Sequence, residues 1–231
     1  MNPHHQEAGR YLKDAVYGAN DGIITTFAIV AGVAGADLSI TTILLLGTSN
    51  LLADGFSMAA SSWLSAKSER DMYQRERSVE EWELSDRRAS ELTQMQALLK
   101  ERGYSPADAK NLTDLLVKNK NLWLDFMMRE ELNLAGAHTV EPVRGALATF
   151  FAFVVAGMIP LSSYFFFPSS HPSLFLIASV LTAVALFVAG ALRSKFTKRS
   201  AFSAGIEMMI VGGIAAVIAY TIGALVKTLI G

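Results

Sequence analysis

Long apolar runs and one charged block divide this chain. From Asp14 to Ala66 there is no Lys or Arg, and the run is apolar enough to cross a bilayer twice, with a short turn near Gly35, Ala36 and Asp37. A helix rises about 1.5 Å per residue, so about 20 apolar residues cross the hydrocarbon core. The pattern predicts spans over 15–36 and 38–66, then over 143–167 with Pro160 near its far end, 173–192 and 204–226. Residues 67–141 are charged and strongly helical. They predict three helices, over 67–100, 105–118 and 121–134. Ser105 and Pro106 suit an N-cap and first helical position, and Gly103 a helix stop. The first of the three should run straight out of the second span, since nothing between Ser57 and Arg70 breaks a helix. The expected fold is an all-α membrane protein: a tail and transmembrane helices one and two in 1–66, a three-helix domain in 67–141, and transmembrane helices three to five in 142–231.

The polar residues inside the first two spans change this picture from a plain anchor to a candidate path. A carboxylate in a membrane helix costs about 2.5–3.5 kcal/mol on insertion scales, so such groups face a bundle interior or a wet cavity. Asp14 and Asp21 lie seven residues apart and share a face, with Thr25 one turn on. Asn50, Asp54 and Met58 follow each other at four-residue steps and make one stripe, with Ser57 and Ser61 beside it. Serines and Asn50 alone would suit helix packing. Two or three acids with no basic neighbour point instead to protons, a divalent cation, or both.

The charged block carries a second candidate site. Glu76, Glu80 and Glu83 share a helix face, with Glu91 further along. Met127 and Met128 precede Glu131 by four and three residues. Carboxylates suit hard ions and thioethers softer ones, so a mixed set fits a weak, exchangeable site for Fe2+ or a similar ion. The alternatives are a solvated charged face and a small core of Trp123, Phe126 and the methionines. Glu207, at the entrance of the fifth span beside Lys198 and Arg199, is an accessory candidate or a residue reaching for the interface. His4, His5 and His171 read as surface residues.

Composition narrows the classes. The 231 residues are 52% hydrophobic and 18% charged, against about 45–50% and 25% for soluble domains. Net charge is -1, which gives no bulk attraction to nucleic acid. There is no Cys, so thiolate metal sites and cysteine nucleophiles are excluded. No prosthetic group, P-loop, dinucleotide fingerprint or hydrolase triad is expected. The N-terminus has no cleavable signal pattern, so the first apolar segment should be retained. Basic residues cluster in Arg10, Lys13, the 67–141 block, Arg144 and the 193–199 turn, leaving only Lys227. With five spans this places the N-terminus and 67–141 in the cytoplasm and the C-terminus outside, in a plasma or inner membrane if the source is prokaryotic. An acid-rich domain on that side points to export or sequestration of metal. A di-iron oxidase would need paired Glu-x-x-His motifs; His138 is the only His near the block, and Ala135 stands three residues before it. A membrane-anchored metal buffer without transport is the other competing class.

Four segments resemble the vacuolar iron transporter family, which includes bacterial and plant nodulin-like members. They are the D-x-x-x-G-x-x-D-G pattern from Asp14 to Gly22, ADGFSM from Ala53, SAKSERDMYQRE from Ser65 and WLDFMMREE from Trp123. The likeness covers nearly the whole chain. It implies five transmembrane helices, a three-helix cytoplasmic metal-binding domain, a homodimer with the path at its interface, and proton antiport that moves Fe2+ or Mn2+ out of the cytosol. Co2+ and Zn2+ are further candidate ions on ligand chemistry alone. It implies Asp21 and Met58 as membrane ligands and Asp14 at the cytoplasmic mouth. Glu80, Glu83, Glu91, Met127, Met128 and Glu131 would be the cytoplasmic ligands. This sequence departs from the plant pattern at three places: Thr25 and Thr26 stand where a proline falls, Asn50 where a membrane glutamate falls, and Gln94 where a further cytoplasmic glutamate falls.

Overall fold

The structure is a computed structural model and describes residues 3–134, 141–168, 171–197 and 199–230, with only the backbone of 3–10 and 196–197. The side chains of His4 and His5, and all of Ala135, His138 and Lys198, lie outside the described residues. The described chain is all-helical: α1 Pro3–Gly35, α2 Ile40–Asp86, α3 Arg88–Glu101, α4 Pro106–Leu116, α5 Lys120–Glu130, α6 Pro142–Phe166, α7 Leu174–Thr197 and α8 Ala201–Ile230. Five of these, α1, α2, α6, α7 and α8, are long and apolar enough to cross a membrane. The chain divides into two compact units, one of Met1–Leu64 and Pro142–Gly231, the other of Ser65–Glu141. At 47 residues, α2 is about 70 Å long and far exceeds a hydrocarbon core of about 30 Å. Only its apolar part, up to Ala66, suits the bilayer; the charged remainder belongs to the second unit.

In the first unit α1 packs against α6, α7 and α8. Lipid gives no hydrophobic drive between helices, so close contact depends on small residues. A Cβ on Gly18 would lie 2.6 Å from the Thr149 carbonyl oxygen of α6, and one on Gly22 would overlap the Phe153 carbonyl. The other end of α1 meets α8 in the same way, Gly35 against the Tyr220 carbonyl and Gly223 against that of Gly32. Phe27, Val30, Leu51, Phe153 and Leu161 form the main buried cluster. The helix α2 joins it where Leu51 fills the space left by Gly157. Replacing Gly22 with Val should force the α1–α6 crossing apart at a cost of about 1–3 kcal/mol. The detergent-solubilised variant should melt several degrees lower; an unchanged melting temperature would mean that this crossing is looser than described.

The α1–α2 turn falls where the sequence predicts it. The Leu38 amide reaches back to the Val33 carbonyl at 3.1 Å, and Asp37 takes a left-handed φ of 57°, a conformation Asp tolerates better than most residues. The Asp37 carboxylate accepts from Lys227 Nζ at 2.7 Å, tying this turn to the end of α8.

The second unit departs from the expected single helix over 67–100. The helix breaks at Arg87, whose φ and ψ are -114° and 31°. No Gly or Pro stands there. The cause is burial: the break turns Met95 and Leu99 of α3 into a core with Tyr73, Leu84, Trp123, Leu124, Met127 and Met128. A straight continuation would leave them in water. Arg87 lies over the Trp82 ring at 5.3 Å and Arg88 over Trp123 at 5.0 Å, fastening the corner by cation–π contact. Gly103, at φ 95°, ends the following turn, and Ser105 caps α4 by accepting from the Asp108 amide at 3.2 Å.

Candidate metal site

The corner at Arg87 builds the site. Glu80 and Glu91 are eleven residues apart, about 16 Å along a straight helix. With α3 folded back, oxygens of Glu80, Glu91 and Glu131 lie within 4.8 Å of one another. Glu80 and Glu91 are only 3% and 5% exposed, whereas Glu131 is partly open. Buried polar atoms are nearly always paired, yet Glu80 Oε1 and Glu131 Oε2 have no hydrogen-bond partner. The other oxygen of Glu131 accepts from Gln94 Nε2. That bond orients the carboxylate and fixes which of its oxygens is left over.

Electrostatics agree with a group that lacks its counter-charge. Burial, then Glu131, Glu91 and Glu83, push Glu80 up to about 7. Glu91 is raised by burial first and then by Glu131 and Glu83, against a lowering pull from Arg87. Glu131 is raised by burial, with Gln94 opposing and Glu83 adding. Three acids converge, with Arg87 acting on Glu91 and no base paired with any of the three among the described residues, a high-energy arrangement that a divalent cation would relieve.

The other candidates separate. Glu83 is within electrostatic reach but outside the three-oxygen group, and Arg87 holds it at 3.2 Å. Glu76 sits 4.0 Å from Arg75 and is not in the group. Met127 and Met128 are buried in the apolar core, 0% and 1% exposed, one turn before Glu131. Glu207 is held by Arg193 at 3.2 Å and Arg199 at 3.4 Å.

In the first unit Asp21 of α1 is half-buried and within electrostatic reach of Asp54 of α2. Neither has an ion-pair partner among the described residues. Asn50, Asp54 and Met58 are all half-buried, and Met58 packs on the main cluster. Asp14 lies over Gly145 of α6, where a Cβ would come 3.0 Å from Oδ2. The hydroxyl of Thr25 donates to the Asp21 backbone carbonyl at 2.8 Å, so its proton is committed within α1. Gln94 was visible in the sequence only as a departure from a family pattern; nothing in the local sequence marks its bond to Glu131.

The sequence description of the VIT family matches residues 12–224. Among characterised proteins, the chain is 35% identical to a vacuolar iron transporter of Toxoplasma gondii over 99% of its own length and 78% of that protein's. It is 31% identical to vacuolar iron transporter 1 of Oryza sativa subsp. japonica, covering 97% and 90%, and 33% identical to its counterpart in Arabidopsis thaliana, covering 97% and 91%. The match takes in both the helices that carry Asp21 and Asp54 and those that bring Glu80, Glu91 and Glu131 together; this chain belongs to the VIT family.

Proposed function

We propose that this protein transports a divalent transition metal, Fe2+ first and Mn2+ second, out of the cytosol, collecting the ion at Glu80, Glu91 and Glu131 and passing it through the membrane past Asp21 and Asp54. The observation that supports this best is the presence of two acidic sites without an ion-pair partner among the described residues: three converging carboxylates in one unit and two carboxylates on apolar helices in the other. The names of the relatives, all vacuolar iron transporters, agree with iron as cargo. Oxygen ligands do not separate Fe2+ from Mn2+, and they leave Co2+ and Zn2+ as competitors.

Three finer features belong to the same reading. The basic residues orient the N-terminus and Ser65–Glu141 towards the cytoplasm and the C-terminus outwards. Protons serve as counter-ions, since a carboxylate that gives up a metal in lipid is most stable when protonated. Two copies of the chain complete the path, because one Asp21 and one Met58 make too small a ligand set and a two-fold axis doubles it.

Flux into proteoliposomes, followed for Fe2+, Mn2+, Co2+ and Zn2+ with and without a pH gradient, tests the proposal. Fe2+ and Mn2+ should move fastest, and the gradient should accelerate both. Tight binding with no flux would favour a buffer, and oxygen consumption on adding Fe2+ would favour an oxidase.

A further inference from the structure

Four basic or amide side chains follow each other on one face of α2 just past its apolar part: Lys67, Arg70, Gln74 and Arg77, at steps of three, four and three. The acids of the same stretch, Glu69, Asp71 and Glu76, lie roughly 100–120° away around the helix. Within the second unit this face opens onto a cavity of about 350 Å³ lined by Arg70, Tyr73, Gln74, Arg77 and Asp125.

Two of its cations are in different states. Arg77 is committed: its guanidinium donates to Asp125 Oδ1 at 2.7 Å and to the Tyr73 hydroxyl at 3.3 Å. Arg70 is half-buried, and its Nε is sealed from solvent without a hydrogen-bond partner. It has no ion pair or hydrogen bond among the described residues. A buried N–H on a permanent cation is costly to leave unmade, and the guanidinium fork is shaped for a phosphate or a carboxylate. The Asp125 that lines the cavity is bonded through Oδ1 to Arg77, and no described residue supplies an acceptor to Arg70, which leaves the site open to an acceptor from outside the chain.

Position along α2 selects the source. Trp63, a residue type that anchors helices at membrane interfaces, precedes Arg70 by seven residues, about 10 Å of helix. The headgroup layer extends about 5–8 Å beyond the hydrocarbon core on each side. Arg70 therefore comes at headgroup depth or just past it. Clusters of basic residues placed directly after a membrane helix are the usual seat for anionic lipid phosphates.

We propose that the cavity at Arg70, Gln74 and Arg77 binds the phosphate group of an anionic membrane lipid, with Arg70 as its principal ligand. The inference uses only the passage of α2 out of the membrane and does not depend on metal transport. The test uses the full-length protein in nanodiscs of phosphatidylcholine, with and without phosphatidic acid, read by thermal melting and by the lipid retained in native mass spectrometry. Phosphatidic acid should raise the melting temperature, and Arg70→Gln should weaken its retention about tenfold or more. Arg70→Lys, which keeps the charge and loses the fork, should fall between. Fe2+ binding should be the same in all three proteins, which separates a lost lipid site from a misfolded one and from any failure of the transport reading. Equal retention by wild type and Arg70→Gln would overturn the proposal. Inorganic phosphate stabilising the detergent-solubilised protein as well as the lipid does would overturn the lipid assignment.

Discussion

Asp21→Asn should bring Fe2+ flux in proteoliposomes down to that of protein-free vesicles while the protein still folds. The side chain keeps its shape and loses its charge. Two unit charges 4 Å apart attract by about 4 kcal/mol at an effective dielectric constant near 20, and a divalent ion doubles that before desolvation is subtracted. A quarter of the unit-charge figure still changes a rate or an affinity about fivefold, and a larger share changes it by orders of magnitude. Loss of Asp21 also leaves Asp54 as the only carboxylate at that point of the two helices, with no like-charged neighbour to favour exchange between ion and proton. Metal binding in the Ser65–Glu141 unit should be untouched, because its ligands stand on other parts of the chain. Full flux in this variant, with normal expression, would remove Asp21 from the path.

The second large effect concerns Glu80. Glu80→Gln should weaken Fe2+ binding at least about tenfold, since even outer residues of metal sites are worth that much, and it should at the same time make the metal-free protein more stable. The pH dependence fixes the sign. In the folded protein Glu80 titrates at about 7, above its ordinary value of 4.5. Below the ordinary value both folded and unfolded chains hold the proton and there is no penalty. As pH rises from there to about 7, the folded state keeps a proton that the unfolded state releases, and stability falls. Above about 7 the full penalty applies. Metal must displace that proton, so affinity should climb between about pH 6 and about pH 8 and then level off. In Glu80→Gln both slopes should flatten. Calorimetric titration under anaerobic conditions, paired with melting curves across the same range, measures both. A variant that loses metal without gaining stability would show that the three carboxylates are relieved by something other than a cation.

Much of this was legible in the sequence because membrane spans depend on length and polarity alone. The five apolar runs and the turn at Gly35–Asp37 follow from one-dimensional patterns. The corner at Arg87 does not. It carries no helix breaker, and only the burial of Met95 and Leu99 against Trp123, a residue distant in sequence, makes a bent chain better than a straight one. The metal site inherits that limit. Its acids were nameable one by one, but periodicity groups Glu80 with Glu76 and Glu83, whereas the fold groups it with Glu91 and Glu131. Thr25 shows the same limit on a small scale: its place in the stripe was readable, but its use as a helix hydrogen bond was not.

Counting ions settles whether the two acidic sites serve passage or storage. Purified wild-type protein, reconstituted alone into sealed vesicles with an Fe2+ chelator inside and a pH gradient across the membrane, should deliver many Fe2+ ions per protein to the lumen, at a rate that saturates with outside Fe2+. If lumenal Fe2+ never exceeds that of empty vesicles while the protein itself retains metal, the carboxylates of α1 and α2 are not a path and this chain only holds the ion.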